Sequence, residues 1–266
     1  MKYKAVVTDL DGTLLNPQGR LSPDTLTTLQ KLNTLGVSLI LATGRHPKDA
    51  QNIFRSLGLQ TLIVGLNGAL TLCNHSGEIL HERVISPECI AGILWLTADQ
   101  EIHISAFDSQ GWKLSEVNNM SVEYAEFANF PYMIMRPSEI FELKINKLLL
   151  WCDGGIAPVE QVITQHFGKR LECYRISAQQ LEIGPPGSSK ATAVAELLAS
   201  RCISFQHETI AFGDGANDID MLRQAAQGVV MGNASHEIKS MLHHLPVAPS
   251  NASDGVAHIL QQVFHL

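Results

Sequence analysis

The sequence predicts an α/β fold: a doubly wound parallel core sheet with an α+β cap unit inserted into it. Three observations predict this. Apolar, β-branched runs alternate with helical patterns in the first third of the chain and again near its end. The middle, from about His81 to Pro186, reads instead as hairpins with helices between them. Polar residues follow the strands of the two flanking segments, with carboxylates after the first and fourth, where open α/β sheets bind ligands. The expected division is a core of residues 1–80 and 188–266 and an inserted unit of residues 81–187.

Each element has a local reason. "KAVVTDL" is apolar and β-branched, as a strand buried on both faces should be. Ser22-Pro23 is an N-cap and first-turn pair, after which Leu26, Leu29, Leu32 and Leu35 recur at helical spacing until Gly36. "VSLILATG" is a second buried strand, Pro47 to Leu57 a second helix closed by Gly58, and "TLIVGLNGA" a third strand. Strands and helices alternating over short connections imply parallel pairing with right-handed crossovers.

In the middle, "HISAFD" and "WKLSE" flank Ser109-Gln110-Gly111, and "ECYRI" and "QLEI" flank a polar turn, as hairpins do. Helical patterns occupy Pro87 to Gln100 and Pro158 to Phe167. The core pattern then resumes with a helix over 189–201, the strand "ETIAFGDG", a helix over 217–226, the strand "GVVMGNA", and helices near 236–244 and 253–264. Trp95 and Trp151 are expected to pack between helix and sheet, whereas Trp112, beside the hairpin turn, is placed to stack on a substrate ring.

Composition narrows the function. The chain has 266 residues, 45% of them apolar and 17% charged, enough for a sizeable core. A formal net charge of -7 argues against a nucleic-acid groove or an anionic membrane surface as partner. No apolar run approaches the roughly 20 residues that span a bilayer, and no signal-peptide pattern opens the chain. The 5 cysteines are scattered without a C-x-x-C pair, which reads as reduced thiols in a cytoplasmic protein. His243-His244 reads as a solvated pair. The pattern fits a monomer or a homodimer.

The strand ends carry the chemistry. Asp9, Asp11, Gly12 and Thr13 follow the first strand; Thr43, Gly44 and Arg45 the second; Asn67 and Gly68 the third; Asp214, Asn217 and Asp218 the fourth. Lys190 opens a helix just after the inserted unit. Crowded carboxylates repel unless a cation holds them, and oxygen-only ligands favour Mg²⁺. Hydroxyl, amide and ammonium donors (Thr43, Asn217, Lys190) are needed there only if an anion is bound as well. A phosphoryl group follows, with one carboxylate as nucleophile and its neighbour as general acid and base.

Simpler readings exist for each residue alone. Asp-Gly is a common turn, Lys190 can be a solvated helix lysine, and Asp214 and Asp218 can be helix-start charges. An EF-hand fails, because Leu14 stands where its glycine belongs. "GPPGSSKAT", Gly184 to Thr192, offers a nucleotide-binding P-loop, but Ser189 and Ala191 stand where that loop needs a glycine and a hydroxyl.

Together, "DLDGTLL", "LATGR", "LEIGPPGSSKA" and "FGDGANDIDML" resemble, in order, the four motifs of the haloacid dehalogenase superfamily of phosphatases. "NGA", "GVVMGNA" and "SNASDGVA" resemble its Cof-like branch (subfamily IIB), with a large α/β cap between the second and third motifs. The resemblance implies a Rossmann-like core and a Mg²⁺-dependent phosphatase of small phosphorylated metabolites working through an aspartyl-phosphate. It implies Asp9 as nucleophile and metal ligand, and Asp11 as general acid/base that meets Mg²⁺ through its carbonyl. Leu10, Thr43, Gly44, Lys190 and Asn217 would bind phosphate, and Asp214 and Asp218 would complete the metal set. Ala191 stands where the family often has glycine. "TGRH" and "DSQGW" resemble the branch member acting on a pyrimidine pyrophosphate; sugar phosphates and pyridoxal phosphate stay open. So do phosphomutase-type transfer and a non-catalytic phospholigand-binding protein.

Overall fold

The computed structural model describes residues 2–266, which form two compact units. The first comprises the chain up to Leu80 together with Ser189–Leu266; the second is His81–Ser188. In chain order the strands are β1 (Ala5–Thr8), β2 (Ser38–Ala42), β3 (Thr61–Gly65), β4 (Leu70–Cys73), β5 (Ile79–Glu82), β6 (His103–Asp108), β7 (Gly111–Leu114), β8 (Tyr132–Ile134), β9 (Ile145–Trp151), β10 (Glu172–Arg175), β11 (Gln180–Gly184), β12 (Thr209–Gly213) and β13 (Gln227–Val230). The helices used below are α1 (Pro23–Thr34), α2 (Pro47–Phe54), α3 (Pro87–Thr97), α4 (Asn119–Ala128), α5 (Ala157–Phe167), α6 (Lys190–Ser200), α7 (Phe205–Glu208), α8 (Ile219–Gln224), α9 (His236–Met241) and α10 (Gly255–Phe264).

The first sheet runs β13-β12-β1-β2-β3-β4-β5. Its first five strands are parallel, and β4 returns antiparallel to β3. Alternation along each strand feeds two cores. Val6, Leu39, Leu41, Ile210 and Phe212 face α1, α2 and α10, while Ala5, Val7, Ile40 and Ala211 face α6, α8 and α9. Both faces are covered, which is why these strands read as unbroken apolar runs.

"TLIVGLNGA" is not one strand. The chain reverses at Leu66, Asn67 and Gly68, all with positive φ (50°, 52° and 95°). A Cβ on Gly68 would lie 2.3 Å from the Ser189 carbonyl oxygen, so only glycine fits this return.

The second unit is a six-stranded sheet, β10-β11-β9-β6-β7-β8, antiparallel except at β7–β8. Ile90 and Ile93 of α3, and Val159, Ile163 and Phe167 of α5, cover one face against Ala106, Leu148, Leu150 and Ile183. Two tryptophans depart from expectation. Trp95 is 75% exposed on α3 rather than packed. Trp112 is buried, stacked on Phe107 with ring centroids 6.0 Å apart and edge-on to Tyr124 and Tyr132, so its ring is already covered. The five cysteines are free thiols, and no helix among the described residues is long and apolar enough to cross a membrane.

Candidate active site

The site grows from the end of β1. Asp9 keeps extended backbone, and the chain then closes a tight turn over Leu10–Leu14 in which Leu15 N–H donates to Leu10 O at 2.9 Å. Gly12 makes that turn possible. Its φ is 77°, and a Cβ there would sit 2.4 Å from Asp214 Oδ2. The glycine therefore lets β1 and β12 deliver two carboxylates to one place.

Asp9, Asp214 and Asp218 offer carboxylate oxygens within 4.8 Å of one another. Lys190, at the start of α6, reaches into this group with its ammonium. It donates to Asp9 Oδ1 at 2.6 Å and Asp218 Oδ1 at 2.7 Å, and its side chain is 1% exposed. Asp218 Oδ2 accepts from the backbone N–H of Asp214 (3.1 Å) and Gly215 (2.9 Å), so both its oxygens are engaged. Thr13 Oγ1 donates to Asp214 Oδ1 at 2.9 Å.

Charge counting shows what this arrangement lacks. Three carboxylates surround one ammonium. Burial pushes the Asp9 carboxyl up to about 7, with Asp218 and Asp214 adding to the rise against the pull of Lys190. Asp214 is also raised, chiefly by burial. Burial alone would lower the Lys190 ammonium, but Asp218 and Asp9 outweigh it and raise it. A hard divalent cation would restore the balance, and every donor in the cluster is oxygen.

The remaining candidates lie around this cluster. Thr43, buried, receives Arg45 N–H on its hydroxyl at 3.1 Å. A Cβ on Gly44 would lie 3.4 Å from Asn67 Oδ1, and Asn67 Oδ1 in turn accepts from Asn217 Nδ2 at 2.9 Å. The Leu10 side chain belongs to the core, which confines any ligand contact to its backbone. Asp11 is not in the carboxylate cluster; its side chain is 54% exposed and is held by Arg45. Ala191 packs in the core without displacing Lys190.

The P-loop reading does not survive. Its lysine would have to face a loop-bound phosphate, whereas Lys190 is turned onto two carboxylates. Sequence reasoning also missed Asn233, whose Nδ2 donates to Gly12 O at 2.7 Å and lies 3.4 Å from Asp214 Oδ2. It follows β13, so extending the strand-end rule by one strand would have found it.

The HMP-PP phosphatase of Enterobacter sp. (strain 638) is 29% identical over 253 residues, covering 95% of this chain and 92% of that protein. The HMP-PP phosphatase of Escherichia coli O6:H1 is 29% identical over 255 residues, with the same shares. The crystal structure of a haloacid dehalogenase-like hydrolase from Bacteroides thetaiotaomicron matches with a TM-score of 0.87 at 27% identity, covering 99% of this chain and 100% of that one. The model of the haloacid dehalogenase-like hydrolases matches residues 6–260, almost the entire chain, and the chain belongs to that family.

Proposed function

We propose that this chain is a Mg²⁺-dependent phosphatase of small phosphorylated metabolites, with Asp9 as nucleophile. The observation that carries the reading is the cluster of three carboxylates, Asp9 and Asp218 buried and both bonded by Lys190, set where β1 and β12 end. Relatives named HMP-PP phosphatase support the reaction type and favour a pyrimidine phosphate or pyrophosphate over a sugar phosphate or pyridoxal phosphate. Residues 81–187 are the part to which we assign substrate choice.

Asp9 and Asp214 would hold the metal, with the Asp11 carbonyl and Asp218 completing the set. When bound, Mg²⁺ supplies the positive charge that draws in and neutralises phosphoryl oxygens. The chain's own residues do the rest. With Oδ1 held by Lys190, Asp9 attacks phosphorus through Oδ2. As that bond forms, the bridging P–O bond breaks and its electron pair goes to the leaving oxygen, which takes a proton from Asp11. Asp11 then takes a proton from water as the water oxygen bonds phosphorus. The Asp9–phosphorus bond breaks and the pair returns to the carboxylate. Thr43, Gly44, Asn217 and the Leu10 backbone orient the phosphoryl group, while Lys190 keeps Asp9 ionised.

Phosphate release with Mg²⁺ from pyrimidine, sugar and pyridoxal phosphates tests this on wild type and Asp9→Asn. Wild-type turnover that falls by about 10⁴- to 10⁶-fold in the variant is expected for loss of a covalent nucleophile. No turnover of any compound by wild type would defeat the reading, and turnover surviving in Asp9→Asn would defeat the assignment of Asp9.

A further inference from the structure

Arg45 has no part in the mechanism above, yet its guanidinium is held between two carboxylates. Nε donates to Asp11 Oδ2 and Nη2 to Asp11 Oδ1, each at 2.6 Å, a two-point fork that fixes both oxygens of the carboxylate. Nη1 lies 3.4 and 3.5 Å from the two oxygens of Asp49, which is wholly buried in the first turn of α2. The arginine is anchored at its base as well. Its N–H donates to Thr43 Oγ1, and its carbonyl accepts from Leu66 N–H at 2.9 Å. Its side chain is only 10% exposed.

An ordinary surface ion pair joins two mobile side chains and contributes little. Here one partner is immobile. The run Asp49–Arg45–Asp11 ties a carboxylate two residues past the nucleophile to a buried charge in a helix. Asp11 is 54% exposed and lies within the Leu10–Leu14 turn, so the fork is what limits rotation of its carboxylate about χ1. A lysine could supply the charge there but not the planar two-point grip.

We infer that Arg45 is a positioning residue for Asp11, held in place by Asp49. The inference rests on the phosphatase reading, in which Asp11 gives a proton to the leaving oxygen. Its signature is selectivity for the leaving group. An alkyl leaving group needs that proton, whereas a p-nitrophenolate leaves readily without it. A general acid contributes about 10²- to 10⁴-fold, so misplacing it should show clearly in one substrate and weakly in the other.

The test measures kcat/KM, which reports the steps through departure of the leaving group and not the later hydrolysis of the aspartyl-phosphate common to both esters, for glycerol phosphate and p-nitrophenyl phosphate in wild type, Arg45→Gln, Asp11→Asn and the double variant. Arg45→Gln should lose about tenfold more on the alkyl ester than on the aryl ester, retaining the aryl activity that shows an intact site. The double variant should be no worse than Asp11→Asn alone, because both changes remove one function. Asp49→Asn should shift the ratio in the same direction by less. Equal losses on both esters, an unchanged or improved alkyl rate, or additive losses in the double variant would each overturn the inference. If Arg45→Gln does not fold, Arg45→Lys, which keeps charge and stem, replaces it under the same criteria. Wild type inactive on both esters would count against the phosphatase reading instead.

Discussion

Each unit buries lysine, but in different company. In the second unit Lys147 meets Glu182 at 2.6 Å and Lys113 meets Asp108 at 2.5 Å, one cation to one carboxylate. Lys147 also lies over the Phe107 ring, 4.8 Å from its centroid. Asp108 has a second structural duty, accepting the N–H groups of Gln110 and Gly111 to close the β6–β7 turn. Within each pair one positive charge faces one negative charge. In the first unit Lys190 bonds two carboxylates of a cluster of three, and the set is short of positive charge. The difference separates an internal brace from the cluster to which we assign the cation and the phosphoryl group.

The comparison can be broken from the side of the brace. Lys147→Met should destabilise the protein by about 3–5 kcal/mol in denaturant unfolding, because it breaks a buried ion pair from one side. Lys147→Met with Glu182→Leu should recover most of that loss. A double variant as unstable as the single one would show that Lys147–Glu182 is not self-contained.

A second measurement addresses the receptor. Mg²⁺ at about 100 times its dissociation constant should stabilise wild type by about 2.7 kcal/mol, read as a higher Tm. The rise should vanish in Asp214→Asn and persist in the Lys147→Met/Glu182→Leu variant. If both variants respond alike, the cation does not bind at the carboxylate cluster.

A third measurement reads pH dependence. Asp9 rises from 3.8 in the unfolded chain to about 7 when folded without metal. The native state therefore holds more protons between these values, and metal-free stability should fall as pH rises from about 4 to about 7 through this group. Mg²⁺ should flatten that slope, since it favours the ionised form. Urea titrations at several pH values, with Mg²⁺ and with a chelator, decide it. A metal-free slope of the opposite sign would contradict the charge deficit.

Much of the site was legible because all its chemical residues but Lys190 follow an apolar strand, and Lys190 opens the helix where the core pattern resumes. Asp9, Asp11, Thr43, Asn67, Asp214 and Lys190 could be gathered onto one rim by topology alone. Partner choice could not be read in this way. The sequence does not say that Asp218 spends one oxygen on Lys190 and the other on two backbone amides, or that Asp11 turns to Arg45. The strand-end rule can bring Asn233 to the rim, but not say that it bonds Gly12, 221 residues away. Trp95 failed because an apolar helical pattern says that a helix packs, not which of its flanks meets the sheet.

The sequence by itself determined the alternation of strands and helices, the inserted hairpin unit and the identity of the groups at the strand ends. Those are local matters: residue type, spacing and the periods of two and 3.6 that burial imposes. Tertiary structure alone decided how charge is shared. Whether a buried lysine completes a pair or leaves a deficit depends on how many carboxylates lie within a few ångströms, and electrostatic energy follows distance and burial rather than position along the chain.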